Sequence, residues 1–271
     1  PFKPYHQFMN TPEGNQFTEE FHRVAEAGEL PPGADWFVQE KKPVEELYDT
    51  REDPHEIDDL AEDEAYRDVL HRMRKALWDW QVRTGDLGLI PEPQLVEKAE
   101  EVGTRWGILR QSDLDRESYM RRLRAAASLA GTPTISDLPA LRDRFHAEEP
   151  TVRYWAAIGI GNLGLEAKTA AGLMHDGLGD AAPVVRCAAG RALFHVGERV
   201  DAALAAVVEE LRSDREWVRL QAALVLDEVG EQARPAIPAL EEALGDVHNK
   251  YVVRVANRAL NQLQGTDNEV R

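Results

Sequence analysis

Three groups of residues carry chemistry beyond folding: carboxylates crowded between residues 45 and 68, eight histidines, and a single cysteine. The carboxylates are Glu45, Glu46, Asp49, Glu52, Asp53, Glu56, Asp58, Asp59, Glu62, Asp63, Glu64 and Asp68, with only Arg51 and Arg67 among them. Calcium takes oxygen ligands, so such a run is raw material for a cation cage. The competing reading is a solvated, well-capped turn, and it is the better one here. The histidines show no HExxH, no pair at helical spacing joined by a carboxylate, and no adjoining glycine-rich phosphate loop. His55, inside Asp53-Pro54-His55-Glu56, has acid–base capacity near neutral pH, but a turn histidine bonding its neighbours explains it better. His195 and His248 read as packing or surface residues of helices and turns. Cys187, between Arg186 and Ala188, cannot make an internal disulfide and reads as a small buried thiol in an alanine-rich helix. On this reading no catalytic, cofactor-binding or metal-ligating residue is assigned.

The elements around the acidic run are legible. Leu47 and Tyr48 read as a short strand, stopped by Asp49, Thr50 and Asp53-Pro54. From Asp63 onward Tyr66, Val69, Leu70, Met73, Leu77 and Trp80 recur at spacings of three and four, one buried face of a helix. Asp63 is its expected N-cap and Gly85 its left-handed end. Upstream, a short helix capped by Thr18 carries Phe21 and Val24 on one face and stops at Gly28; Pro31, Pro32 and Gly33 connect it to Trp36-Phe37. A strand at Leu47 cannot stand alone in water, so it requires sheet partners, or leaves an exposed sheet edge or apolar patch.

In order, Glu46-Leu47-Tyr48-Asp49, Asp53-Pro54-His55-Glu56, Leu60-Ala61, a helix ending at Trp78 and Trp80, and Thr84-Gly85-Asp86 resemble the C-terminal end of type I sulfatases. The N-sulfoglucosamine sulfohydrolase branch is the nearest in pattern, with Asp59 where that family usually has Asn. The resemblance covers about the first third of the chain. It implies a small α+β subdomain over residues 1–93 and a catalytic part preceding Pro1. That part would hydrolyse sulfate esters or N-sulfate groups of sulfated glycans with calcium and a formylglycine, and the parent would be periplasmic or secreted. The C/S-x-P-x-R motif that yields formylglycine is absent here. Cys187 is followed by Ala188-Ala189-Gly190, and no serine has the required proline and arginine. The resemblance therefore transfers no catalytic residue and no cofactor to this chain.

Residues 85–93, rich in glycine and proline, mark the expected domain boundary. Beyond it, over residues 94–271, the chain repeats. Val152-Arg153 with Gly164, Val185-Arg186 with Gly197, and Val218-Arg219 with Gly230 share a Val-Arg pair and a glycine eleven residues after the arginine. Val253-Arg254 with Gly265 is a last copy, and residues 119–131 are a degenerate first one. A second apolar-periodic run follows each, at 135–145, 170–178, 202–211 and 233–244. The pattern resembles HEAT-like repeats of the short type named from phycobilin lyases, which implies an α-solenoid. Alanine pairs such as Ala188-Ala189 allow close helix approach. Arg153, Arg186, Arg219 and Arg254 are placed to meet acids of the links, with Glu148, Asp180 and Asp214, a few residues before their arginines, as candidate partners. Trp155 follows its arginine by two and Trp217 precedes its own by two, so the tryptophans form no stacking ladder.

The 271 residues suffice for two domains, and a net charge of −17 opposes any nucleic-acid backbone. A mean hydropathy of −0.48 and the lack of a long apolar run argue against a membrane span. The acidic face between residues 45 and 68 would repel a sulfated glycan, which would have to bind elsewhere on the chain if it binds at all. The whole reads as a mainly α protein: a sulfatase-like α+β remnant, then a HEAT-like solenoid. Its function reads as the non-catalytic tail of a sulfatase, paired with the missing catalytic domain and offering a structural or protein-interaction surface. The alternative is an independent repeat scaffold that binds a protein, or itself, with no enzymatic parent.

Overall fold

Apolar residues at helical spacing need a second surface to cover them, and the chain solves this problem very differently in its two parts. The computed structural model describes residues 12–31, 33–39, 42–246 and 248–270, with side chains from residue 17 onward. Two compact units result, Pro1–Thr84 and Gly85–Arg271.

In the first unit, α1 (Pro12–Glu26) starts six residues before the expected cap at Thr18, and Gly28 follows it at φ +69°. Phe21 packs edge-on against Phe37 with ring centroids 5.1 Å apart. Asp63 does cap the next helix: its carboxylate accepts the Ala65 N–H at 2.8 Å and opens a 3-10 turn, Glu64–Tyr66, that leads into α2 (Arg67–Thr84). The expected strand at Leu47 is not there. No described residue lies in a strand, so the α+β subdomain and the sulfatase-type fold expected for residues 1–93 are overturned. The physical reason is local. The Leu47 N–H donates to the Asp59 carboxylate (2.9 Å), which also takes the Ala61 N–H, and the Leu47 carbonyl accepts from Leu60 N–H at 2.7 Å. A side-chain acceptor thus satisfies backbone that a sheet neighbour would otherwise have to satisfy.

The second unit stacks helix pairs. After α3 (Glu92–Val102) come α4 (Arg116–Gly131) with α5 (Leu138–Arg144), α6 (Pro150–Asn162) with α7 (Ala171–Gly177), α8 (Pro183–Val196) with α9 (Val200–Leu211), and α10 (Glu216–Glu228) with α11 (Ile237–Ala243). The helix α12 (Lys250–Gln264) packs on α10 and α11. Prolines at the first turn start α6 and α8, where a missing N–H costs nothing. One continuous core runs through the stack, built on Leu141, Ile160, Met174, Leu193, Leu226 and Leu240, all fully buried. No pair could bury this surface alone.

Gly164, Gly197, Gly230 and Gly265 all have positive φ, between +55° and +68°. The left-handed turn at each lets the chain leave one helix without a Cβ clash. After Gly164 and Gly230 it runs first through 3-10 turns, Gly164–Ala170 and Gly230–Ala236, so α7 and α11 are short. Gly161 serves packing: a Cβ there would stand 3.1 Å from the Ala192 Cα, so α6 and α8 meet backbone to backbone. Trp106 lies beyond the end of α3 and is 69% exposed, with the Arg110 guanidinium 3.2 Å over its ring.

Candidate functional site

Arg153, Arg186 and Arg219 occupy equivalent places, four residues after the N-caps of α6, α8 and α10; on α12 that place falls to Val253, and Arg254 stands one residue further along. Arg153 forks onto Asp180, both bonds at 2.8 Å, and donates its remaining nitrogen to the Ala147 and Glu148 carbonyls. Arg186 pairs with Glu210 and donates to the Asp180 carbonyl at 2.8 Å. Arg219 pairs with Asp246 at 2.6 Å and donates to the Ser213 carbonyl. Each arginine therefore takes its carboxylate from further along the chain, and only backbone oxygen from the link before it. The expected pairing with the preceding acids is corrected accordingly: Asp180 serves Arg153 rather than Arg186, Glu148 offers its carbonyl, and Ser213 takes the place expected for Asp214. Stacking, not chain proximity, decides the partner. Asp246 is held below the ordinary carboxylate range: burial alone would raise it, and the Arg219 bond together with the Asn249 and His248 N–H groups outweighs that. Arg254 differs, because its Nε is sealed from solvent with no hydrogen-bond partner.

A second polar ladder, not foreseen in the sequence, crosses the other ends of these helices. Asn162 donates to the Ala130 carbonyl (2.9 Å) and accepts from Arg191, which also holds Glu228 at 2.6 Å. His195 stands 3.2 Å from the same Glu228 carboxylate. Arg258 grips Asp227, whose side chain is 3% exposed. The signal was present: Asn162, His195 and Glu228 each stand nine residues after a repeat arginine.

The helix α3 lies across the starts of three repeat helices. Lys98 reaches Glu149, the N-cap of α6, at 3.5 Å; Glu97 meets Arg215, the N-cap of α10, at 2.9 Å; and Gln94 is buried near Pro183 and Val184 of α8. Upstream of it, the Leu89 carbonyl accepts from Trp155 Nε1 at 2.8 Å. Two open clefts of about 720 and 470 Å³ lie at link ends, lined by residues of both charges, Arg144 and Glu148 in one, Arg212 and Asp246 in the other.

Among the described residues no three His, Cys, Asp or Glu side chains come together as a metal site, and the crowded carboxylates of residues 45–68 are spent on turns: Asp53 takes the Ile57 and Asp58 N–H groups, and Asp63 caps. His55 is exposed in that turn. Cys187 is fully buried, and burial pushes its thiol far up, away from nucleophilic character.

An exposed apolar face lies on α2. The face expected to be buried is covered only at its start: in the second half of α2 the partly covered residues are Arg74, Trp78, Gln81 and Val82 instead. Leu70 is buried, while Met73 (53%), Leu77 (56%) and Trp80 (48%) are exposed. Across the described residues of the first unit only Leu47 and Leu70 are buried.

A stretch of 63 residues, 23% of this chain, is 40% identical to an ulvan-active sulfatase of Formosa agariphila, and the match spans 10% of that relative's length. So small a shared part, in a chain whose described residues include no strand, does not support sulfatase or hydrolase as a description of this protein. A crystal structure of an engineered protein aligns over 62% of this chain and 79% of its own, at 19% identity and a TM-score of 0.38. Residues 172–261, from α7 to α12, match the model of HEAT repeats.

Proposed function

We propose that this chain is a protein-binding scaffold: a rigid HEAT-like stack that carries a partner-binding surface and does no chemistry of its own. The observation that carries this reading is the bare half of the α2 face. Three large apolar side chains at helical spacing stay in water, and a contiguous exposed apolar patch marks a protein contact. The solenoid supports the reading by its physics. Stacked pairs with largely buried ion pairs at successive joints form a stiff frame, poorly suited to closing around a substrate.

A photo-crosslinking residue placed at Leu77 tests this in extract of the source organism. One defined protein should be captured there, at a yield at least ten-fold above the same probe at exposed Lys168. Capture should disappear when Met73 and Trp80 are changed to Ser and Gln. Equal yields at both positions, or capture unaffected by those changes, would refute the reading.

A further inference from the structure

The bare face of α2 has a charged edge as well as an apolar centre. Met73, Leu77 and Trp80 lie along one stripe, and exposed Ala76 beside them leaves room for another backbone to come close. Five arginine and lysine residues stand on α2 against two aspartates, in a chain whose net charge is −17. Three of the five are already spent: Arg67 pairs with Glu64, Arg74 with Glu45 and Lys75 with Asp79. Arg72 and Arg83 are exposed and hold no acid among the described residues. Three turns of helix separate these two, so they return to nearly the same azimuth, about 16 Å apart along the axis. Both flank the stripe on one side, while on its other side Arg74, Trp78 and Gln81 are partly covered.

This arrangement indicates what covers the stripe. An apolar surface without acids would leave two guanidinium groups at its edge partly desolvated and unpaired, whereas one with carboxylates along a single flank would pair both. A stripe one helix wide, with residues recurring by three and four, is met in register by another helix. We infer that the α2 face docks an amphipathic helix of a partner protein whose apolar stripe is edged on one side by carboxylates. The inference rests on the scaffold reading above and adds the chemistry of the partner. A bilayer fits less well. Its surface faces the whole footprint of the first unit, including the carboxylates of residues 45–68, whereas a helix meets only the arginine edge, within a screening length of about 8 to 10 Å.

The test uses the intact chain and two fluorescent helix-forming peptides of 18 residues, the length of α2. Both carry the same leucine stripe, one with glutamate along a single flank and the other with lysine there. Binding is read by anisotropy in about 0.1 M salt. The glutamate peptide should bind at least ten-fold more tightly than the lysine peptide, and Arg72→Glu combined with Arg83→Glu should reverse that order. Both arginines are exposed and hold no acid, so the double variant removes no internal contact, and an unchanged far-ultraviolet dichroism spectrum confirms its fold. Failure of both peptides to bind, equal affinity for the two, or an order unchanged by the charge reversal would overturn the inference. So would binding to phosphatidylglycerol vesicles with no preference between the peptides, which would assign the stripe to a membrane surface. The scaffold reading is judged separately, by the capture yield at Leu77.

Discussion

Removing an arginine from the buried ladder leaves behind a carboxylate with no cation. Asp246 has a side chain only 5% exposed, so Arg219→Ala should cost about 3 kcal/mol, read as a lower urea midpoint at unchanged slope. Arg212→Ala, which breaks a solvent-exposed pair with Glu242, should cost under about 1 kcal/mol. The acid dependence follows in sign. Asp246 titrates lower in the folded chain than unfolded, so its contribution is present above the unfolded value and is lost as pH falls through the folded one. Between about pH 6 and about pH 2.5 the parent chain should therefore lose more stability than Asp246→Asn, measured by urea melts at each pH. The arginines themselves could be read from the sequence because they recur with the repeat. Their partners could not, since the link acid nearest along the chain and the acid nearest in space belong to different joints, and only the stacking geometry tells them apart.

Helices, turns and their ends divide into what periodicity shows and what local competition hides. The repeat glycines were visible by spacing alone, and each sits where a left-handed backbone is needed. Gly197→Ala, at φ +68° with the new Cβ 3.2 Å from Leu165, should cost about 1–2 kcal/mol and lower the melting temperature without loss of helical signal. The strand at Leu47 misled because an apolar pair before a turn looks the same whether a neighbouring strand or the Asp59 carboxylate takes its backbone hydrogen bonds. On α2 the periodicity pointed to a buried face through Met73, Leu77 and Trp80, and these three are exposed: apolar spacing says which residues share a face, not whether anything covers it. The 3-10 turns after Gly164 and Gly230 escaped for a similar reason: the apolar spacing of residues 170–178 and 233–244 fits either helix type over so short a run.

At the scale of the whole molecule the two units differ in whether they can hold themselves together. Residues 85–271 bury an unbroken apolar core with its joints clamped by ion pairs. The described part of residues 12–84 buries only Leu47 and Leu70, too little apolar burial to offset chain entropy. Expressed alone, residues 85–271 should melt in one cooperative helical transition, whereas residues 12–84 alone should show little fixed structure by near-ultraviolet dichroism, and reversal of that order would be a serious objection. Amide hydrogen exchange on the intact chain, resolved by peptide, tests the central claim most directly. The account predicts that α6, α8 and α10 exchange only with global unfolding, while the Met73–Trp80 half of α2 exchanges at least a hundred-fold faster in the free chain. Equal protection of α2 and α8 would contradict it, because it would mean that the exposed face of α2 has no need of a partner.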